Sequence, residues 1–282
     1  MNEITYQTCV PLRNGSSMPL YGLGTWLSKG NSCYDAVKQA LELGFRLIDT
    51  ARLYENEKQV GDALKDSKIP REEVFIVTKA FSKYHQYDLV KQGLKESLEC
   101  LQTDYVDLLL IHTPNGGNVL EVWRALEDLK KEGLARAIGV SNFGVEQLKQ
   151  LILASNEAPE VNQIEYHLFL QQKETIDYCK ENQIQMMGYC PVARGKRFGE
   201  KTILEIAAAH NVTEPQVMIR WCLQKGIVTI PKSVNPEHIQ QNADCLKFSL
   251  SEEEMKILDS LENGFKASTS VDNMNIPWEQ VK

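Results

Sequence analysis

The chain has 282 residues, 43% hydrophobic and 24% charged, a make-up that excludes disordered and fibrous classes and suits a folded core. Its net charge is −7 and its basic residues form no tract, so it lacks the electrostatic footprint of a protein that binds nucleic acid or an anionic membrane. Seven cysteines, an odd count with no Cys-x-x-Cys and no zinc-like spacing, argue against a disulfide framework or a metal centre and for reduced thiols in the cytoplasm.

The N-terminal residues lack the basic-then-apolar layout of a signal peptide, and no apolar run approaches the roughly 18 residues of a spanning helix. Residues 6–19 predict a small hairpin turning at Arg13-Asn14-Gly15. The next stretch, Leu20-Tyr21-Gly22-Leu23-Gly24-Thr25-Trp26, has two glycines of a nucleotide fingerprint. Neither the third glycine nor the acidic residue about 20 positions on follows, so a dinucleotide βαβ site is not read here.

From there helices and strands alternate. Apolar Tyr34, Val37, Ala40 and Leu41 at helical spacing predict a helix over 32–43. A strand is expected at 45–48, a helix at 56–67 and a strand at 74–78 ending at Lys79. A helix at 87–101 and a strand at 105–111 ending at His112 follow. The second half continues with a helix at 119–132, a strand at 135–140 ending in Ser141-Asn142, and a helix at 145–155. Then come a strand opening at Val161, a helix at 173–182, a strand at 184–189, helical turns over 200–225 and a strand at 227–230. Helices near 236–243 and 251–261 and an irregular tail close the chain. The strands are too uniformly apolar to keep one face wet, which marks a parallel sheet covered by helices. About eight such units favour a (β/α)8 barrel. The expected fold is therefore one α/β barrel domain over 1–282, with an N-terminal hairpin and an extra C-terminal helix.

Strand after strand ends at its C-terminal side in a residue able to do chemistry: Asp49, Lys79, His112, Asn142, Gln163, Tyr189 and Lys232. Each alone has a structural explanation, as a helix-start acid, a rim charge or a hydrogen-bonded core histidine. Together they stand at the face where barrels build active sites. An Asp, a Lys, a Tyr and a His with no cysteine nucleophile or metal cluster suggest proton transfer. A phenol with an unperturbed pKa of about 10 is a poor proton donor near neutrality. A cation beside Tyr54 would lower that value; Lys79 is the candidate cation, Asp49 its anchor and His112 a second hydrogen-bond partner for the protonated oxygen.

The chain resembles the aldo-keto reductases over nearly its whole length. The matching segments are Gly22-Leu23-Gly24-Thr25-Trp26, Gly44-Phe45-Arg46-Leu47-Ile48-Asp49-Thr50-Ala51 with Tyr54-Glu55-Asn56-Glu57, and Ile76-Val77-Thr78-Lys79. Asp107-Leu108-Leu109-Leu110-Ile111-His112, Ile138-Gly139-Val140-Ser141-Asn142-Phe143, Asn162-Gln163 and Ile230-Pro231-Lys232-Ser233 follow in order. The short loops are similar to the branch that includes diketogluconate reductases and prostaglandin F synthases. The acidic, evenly charged surface suits a monomer. The resemblance implies an NADPH-dependent carbonyl reductase of small molecules, with Asp49, Tyr54, Lys79 and His112 as the catalytic tetrad and Tyr54 the acid. It implies Gly24 and Thr25 at the cofactor, Ser141, Asn142 and Gln163 on the carboxamide, and Tyr189 stacked on the nicotinamide. Lys232 and Ser233 would take the 2′-phosphate, with His238, Gln241 and Asn242 toward the adenine.

Two departures carry expectations. His238 stands where the family commonly has Arg, and Gln241 where Glu is common; an imidazole is mostly neutral near pH 7. NADPH is still expected to be preferred through Lys232, with NADH tolerated and the preference weakening as pH rises. Thr113 follows His112 where many relatives carry Trp, and the loop at 115–118 and the tail are short. An open substrate pocket is expected, bounded by Trp26, Tyr54, His112 and Thr113. Two other readings are a non-catalytic NADPH-binding regulatory subunit of the same fold and a Schiff-base lyase at Lys79.

Overall fold

The computed structural model describes residues 3–80, 86–116, 118–274 and 276–280. Strands β1 (Cys9–Pro11) and β2 (Ser17–Pro19) pair antiparallel around a turn in which Gly15 takes φ 86°, as the Asn-Gly sequence leads one to expect. The hairpin sits at the N-terminal end of the barrel: Asn14 Nδ2 donates to Arg136 O and the Asn14 N–H to Glu160 Oε2.

Eight parallel strands follow in chain order: β3 (Leu23–Gly24), β4 (Leu47–Asp49), β5 (Phe75–Ala80), β6 (Val106–Ile111), β7 (Ala135–Ser141), β8 (Val161–Glu165), β9 (Gln185–Tyr189) and β10 (Val228–Ile230). The ends meet. The Gly22 N–H donates to Thr229 O at 3.0 Å, the Thr229 N–H to Leu20 O at 2.9 Å and the Gly24 N–H to Pro231 O at 3.0 Å. Closure removes the edges of the eight-stranded sheet, and strands buried on both faces, such as β6 along its whole length, explain the continuous apolar runs.

Helices α1 (Gly30–Leu43), α2 (Glu57–Ser67), α3 (Tyr87–Leu101), α4 (Val119–Lys131), α5 (Val145–Ala154), α6 (Lys173–Glu181), α7 (Lys201–His210), α8 (Glu214–Gln224), α9 (Pro236–Ala243) and α10 (Glu252–Asp259) form the outer layer. None is long and apolar enough among the described residues to cross a membrane. Their apolar stripes face the barrel; on α4, for example, Val122, Trp123, Ala125, Leu126 and Leu129 are buried.

Three boundaries differ from expectation. Phe45 and Arg46 belong to the turn after α1, because left-handed Gly44 (φ 106°) ends that helix and the Phe45 N–H bonds back to Ala40 O; β4 therefore includes Asp49. The region 200–225 is two helices, parted at left-handed Asn211 (φ 54°) and restarted by a Thr213–Gln216 capping box. The barrel's first strand is the glycine-bearing Leu23–Gly24 piece, too short to show a period of its own.

Candidate active site

Asp49 closes β4, Lys79 lies one residue from the end of β5, and His112 follows β6, so three adjacent strands deliver them to the C-terminal mouth. Tyr54 arrives separately, on a single helical turn (Arg52–Tyr54) that stops at left-handed Glu55 (φ 56°). Asn56 fixes that turn from beneath. It is fully buried, its Nδ2 donates to Thr25 O and Ser28 O at 2.9 and 3.0 Å, and its Oδ1 accepts from Thr50 Oγ1 at 2.7 Å.

The Lys79 ammonium is buried and donates to Asp49 Oδ1 (2.7 Å), Asp49 Oδ2 (2.9 Å) and Thr50 O (2.8 Å); Tyr54 Oη stands 3.4 Å away. Burial lowers the Lys79 pKa, with the Asp49 charge opposing it. Gln163, on β8, donates from Nε2 to Asp49 Oδ2 at 2.7 Å and so ties the far side of the barrel to the same carboxylate. The His112 ring meets the Tyr54 ring edge-on, 5.6 Å between centroids and 75° apart, and its Nδ1 is buried without a partner among the described residues. Burial and the nearby Lys79 charge depress His112 to about 3, so the imidazole is neutral at physiological pH and can offer one N–H.

These residues open into a cleft of about 910 Å³, at the upper end of the range for ligand sites. Gly24, Trp26, Asp49, Tyr54, His112, Ser141, Asn142, Gln163 and Tyr189 line it together with Lys232, Ser233, His238, Gln241 and Asn242.

The Aldo/keto reductase family model matches residues 21–263. The chain belongs to the aldo/keto reductase family. Glyoxal reductase of Bacillus subtilis is 42% identical, over 94% of this chain and 96% of its own. Methylglyoxal reductase DkgA of Escherichia coli is 39% identical, over 91% and 94%. An aldo-keto reductase from a Medee basin deep-sea metagenome library superposes with a TM-score of 0.91 at 46% identity, covering 94% of this chain and 98% of its own. A Bombyx mori aldo-keto reductase in complex with NADP gives a TM-score of 0.88 at 32% identity, covering 96% and 98%. This chain is thus an NAD(P)H-dependent oxidoreductase on a (β/α)8 barrel.

Most of the residues singled out in the sequence of this reductase converge on the cleft; Lys79, buried behind Asp49 and Tyr54, and Thr25 and Thr113 do not line it. Thr25 is buried, with Oγ1 turned to Asp49 O, and Thr113 Oγ1 donates to Asn115 Oδ1 within its own loop. Residue 117 of that loop lies outside the described residues. Ser141, Asn142, Gln163 and Tyr189 bond one another. Ser141 Oγ donates to Gln163 O, left-handed Asn142 donates to His112 O and Ser141 Oγ, and Tyr189 Oη donates to Asn142 Oδ1 at 2.7 Å.

The expected lowering of Tyr54 is corrected. Burial, with the Asp49 charge adding to it, raises its pKa well above the ordinary value. The reason is geometric: Lys79 directs its three N–H groups at Asp49 and Thr50, leaving the phenol only a long contact. That engagement also counts against Lys79 as a Schiff-base nucleophile, since the nitrogen is buried and held by Asp49 and Thr50.

Sequence reasoning missed Leu27, Leu53, Cys190, Arg194, Phe198 and the 268–270 segment, all of which line the cleft. The Arg194 guanidinium lies 4.2 Å over the Trp26 ring, joining the loops after β9 and β3 across the opening. Three of these loop residues, Leu27 (φ 59°), Cys190 (φ 55°) and Arg194 (φ 54°), are left-handed without being glycine, a conformation no local residue pattern announces.

Proposed function

We propose that this reductase converts aldehydes and ketones to alcohols, with Tyr54 protonating the carbonyl oxygen, and that small dicarbonyls such as glyoxal and methylglyoxal are among its substrates. A reduced nicotinamide dinucleotide in the cleft, NADPH in preference to NADH, supplies the hydride for the carbonyl carbon. Ser141, Asn142 and Gln163 hold its carboxamide end; Gln163 suits this because its Nε2 is taken by Asp49 while Oε1 remains to accept. Tyr189 presents its ring face, and Lys232, which makes no ion pair among the described residues, takes the phosphate with Ser233.

One observation carries the reading: a protonated phenol at the cleft, 3.4 Å from a buried ammonium and beside a neutral imidazole. The raised Tyr54 pKa is compatible with an acid's role, because the alkoxide that develops is a stronger base than a phenolate. Once the proton has left, Lys79 stabilises the phenolate and Asp49 keeps Lys79 in place. His112 orients the carbonyl oxygen by a hydrogen bond without competing to lose a second proton.

Tyr54→Phe tests this. Carbonyl-dependent NADPH oxidation is expected to fall at least about 100-fold, the low end of what a positioned general acid contributes. NADPH binding, followed by cofactor fluorescence, is expected to stay within about twofold. Near-normal turnover in the mutant would remove Tyr54 from its role; normal NADPH binding without turnover in the wild type would favour the regulatory-subunit reading.

A further inference from the structure

Glu165 is the last residue of β8, two positions after Gln163 and therefore on the same face of the strand. Its side chain is fully buried, a costly place for a carboxylate unless its oxygens are met by donors. They are met by the C-terminal segment, 100 residues away in sequence: the Ala267 N–H donates to Oε1 at 2.6 Å and the Ser268 N–H to Oε2 at 2.8 Å. His167 completes the set. Its Nδ1 accepts from the Phe169 N–H, so the ring proton sits on Nε2, 3.0 Å from Glu165 Oε1.

The same short segment is gripped from the other side. Lys196, in the loop after β9, donates from Nζ to Ala267 O at 3.2 Å. Just before it, the Asn263 and Phe265 N–H groups both donate to Phe169 O, and the Arg197 guanidinium stacks over Phe169 and Phe265. Just beyond it, Ser268, Thr269 and Ser270 line the cleft, and both serine hydroxyls lie within reach of Tyr189. A tail with two short helical turns and no regular element is thereby fixed against the site.

Resting on the carbonyl-reductase reading above, we infer that Glu165 is a positioning residue: with Lys196 it clamps Ala267 and so sets the 268–270 segment as a wall of the carbonyl pocket. A bond that only stabilised the barrel would leave the pocket's affinity untouched when weakened. A clamp on the wall changes carbonyl binding and leaves the chemical step and the dinucleotide alone.

The test is Glu165→Gln, which keeps the shape but turns one acceptor into a donor facing a backbone N–H. For methylglyoxal and phenylglyoxal, KM is expected to rise about tenfold with kcat held within about twofold. The dissociation constant for NADPH, by fluorescence titration, is expected not to move. Tryptic cleavage after exposed Lys266 is expected to quicken in the same variant. Lys196→Met, which opens the other jaw at the surface, is expected to act in the same direction by roughly threefold, and it decides the matter if Glu165→Gln does not fold. Unchanged KM and unchanged cleavage at Lys266 would overturn the clamp, as would a loss of NADPH affinity in step with the rise in KM. A wild type without carbonyl turnover would defeat the reading of function, and the cleavage rate would still judge the clamp.

Discussion

His112 is a base held where it cannot take a proton. Burial and Lys79 depress it to about 3, against an unperturbed value near 6.5 in the unfolded chain. Between those values the unfolded state binds the extra proton and the folded state does not, so stability rises with pH across the window. The contribution is complete above about pH 6.5 and is lost as pH falls toward 3. By pH 5 the loss is about 2 kcal/mol. Urea unfolding of wild type and His112→Gln at pH 7 and pH 5 checks this: the variant is expected to lose that much less on acidification. Equal losses would mean that the imidazole titrates freely in the folded protein. The same depression implies that reduction shows no acid limb near pH 6.5 from His112, and the raised Tyr54 leaves it protonated throughout neutral pH.

At the scale of elements, the position of Tyr54 depends on how α2 is seated. Gly61 lets that helix lie directly on the end of α3: a Cβ there would stand 2.5 Å from Cys100 O and 2.8 Å from Leu101 C, backbone atoms that cannot swing aside. Gly61→Ala is therefore expected to cost about 1–3 kcal/mol of stability by overpacking, read by urea unfolding. Activity is expected to fall as well, since the start of α2 carries Asn56 and the turn that presents Tyr54. A stable, fully active variant would show that α2 can shift without moving the site. The helices and seven of the barrel strands were legible because each is long or apolar enough to show its period. Asp49, Lys79 and His112 were legible because a polar residue closing an apolar strand is conspicuous. β3 was not, since two residues have no period and closure is a long-range event between Leu20–Gly24 and Thr229–Pro231. Glu165 was visible as a residue on its strand, but its partners at 267 and 268 are set by tertiary folding of a tail with no local pattern.

For the molecule as a whole, cofactor choice is a linkage question, because whatever binds the folded state alone raises its stability by an amount that follows affinity. The end of the cleft proposed here to take the phosphate carries Lys232 and, as an exposed imidazole and not a guanidinium, His238. An imidazole lacks the bidentate fork of a guanidinium, and an exposed contact of this kind is worth under about 1 kcal/mol. NADPH is therefore expected to raise the melting temperature more than NADH does at equal concentration. His238→Arg is expected to widen the gap by an amount equal to roughly a threefold change in relative affinity, and Lys232→Met is expected to abolish most of it. A gap that His238→Arg leaves unchanged would show that Lys232 and Ser233 hold the phosphate without help from position 238.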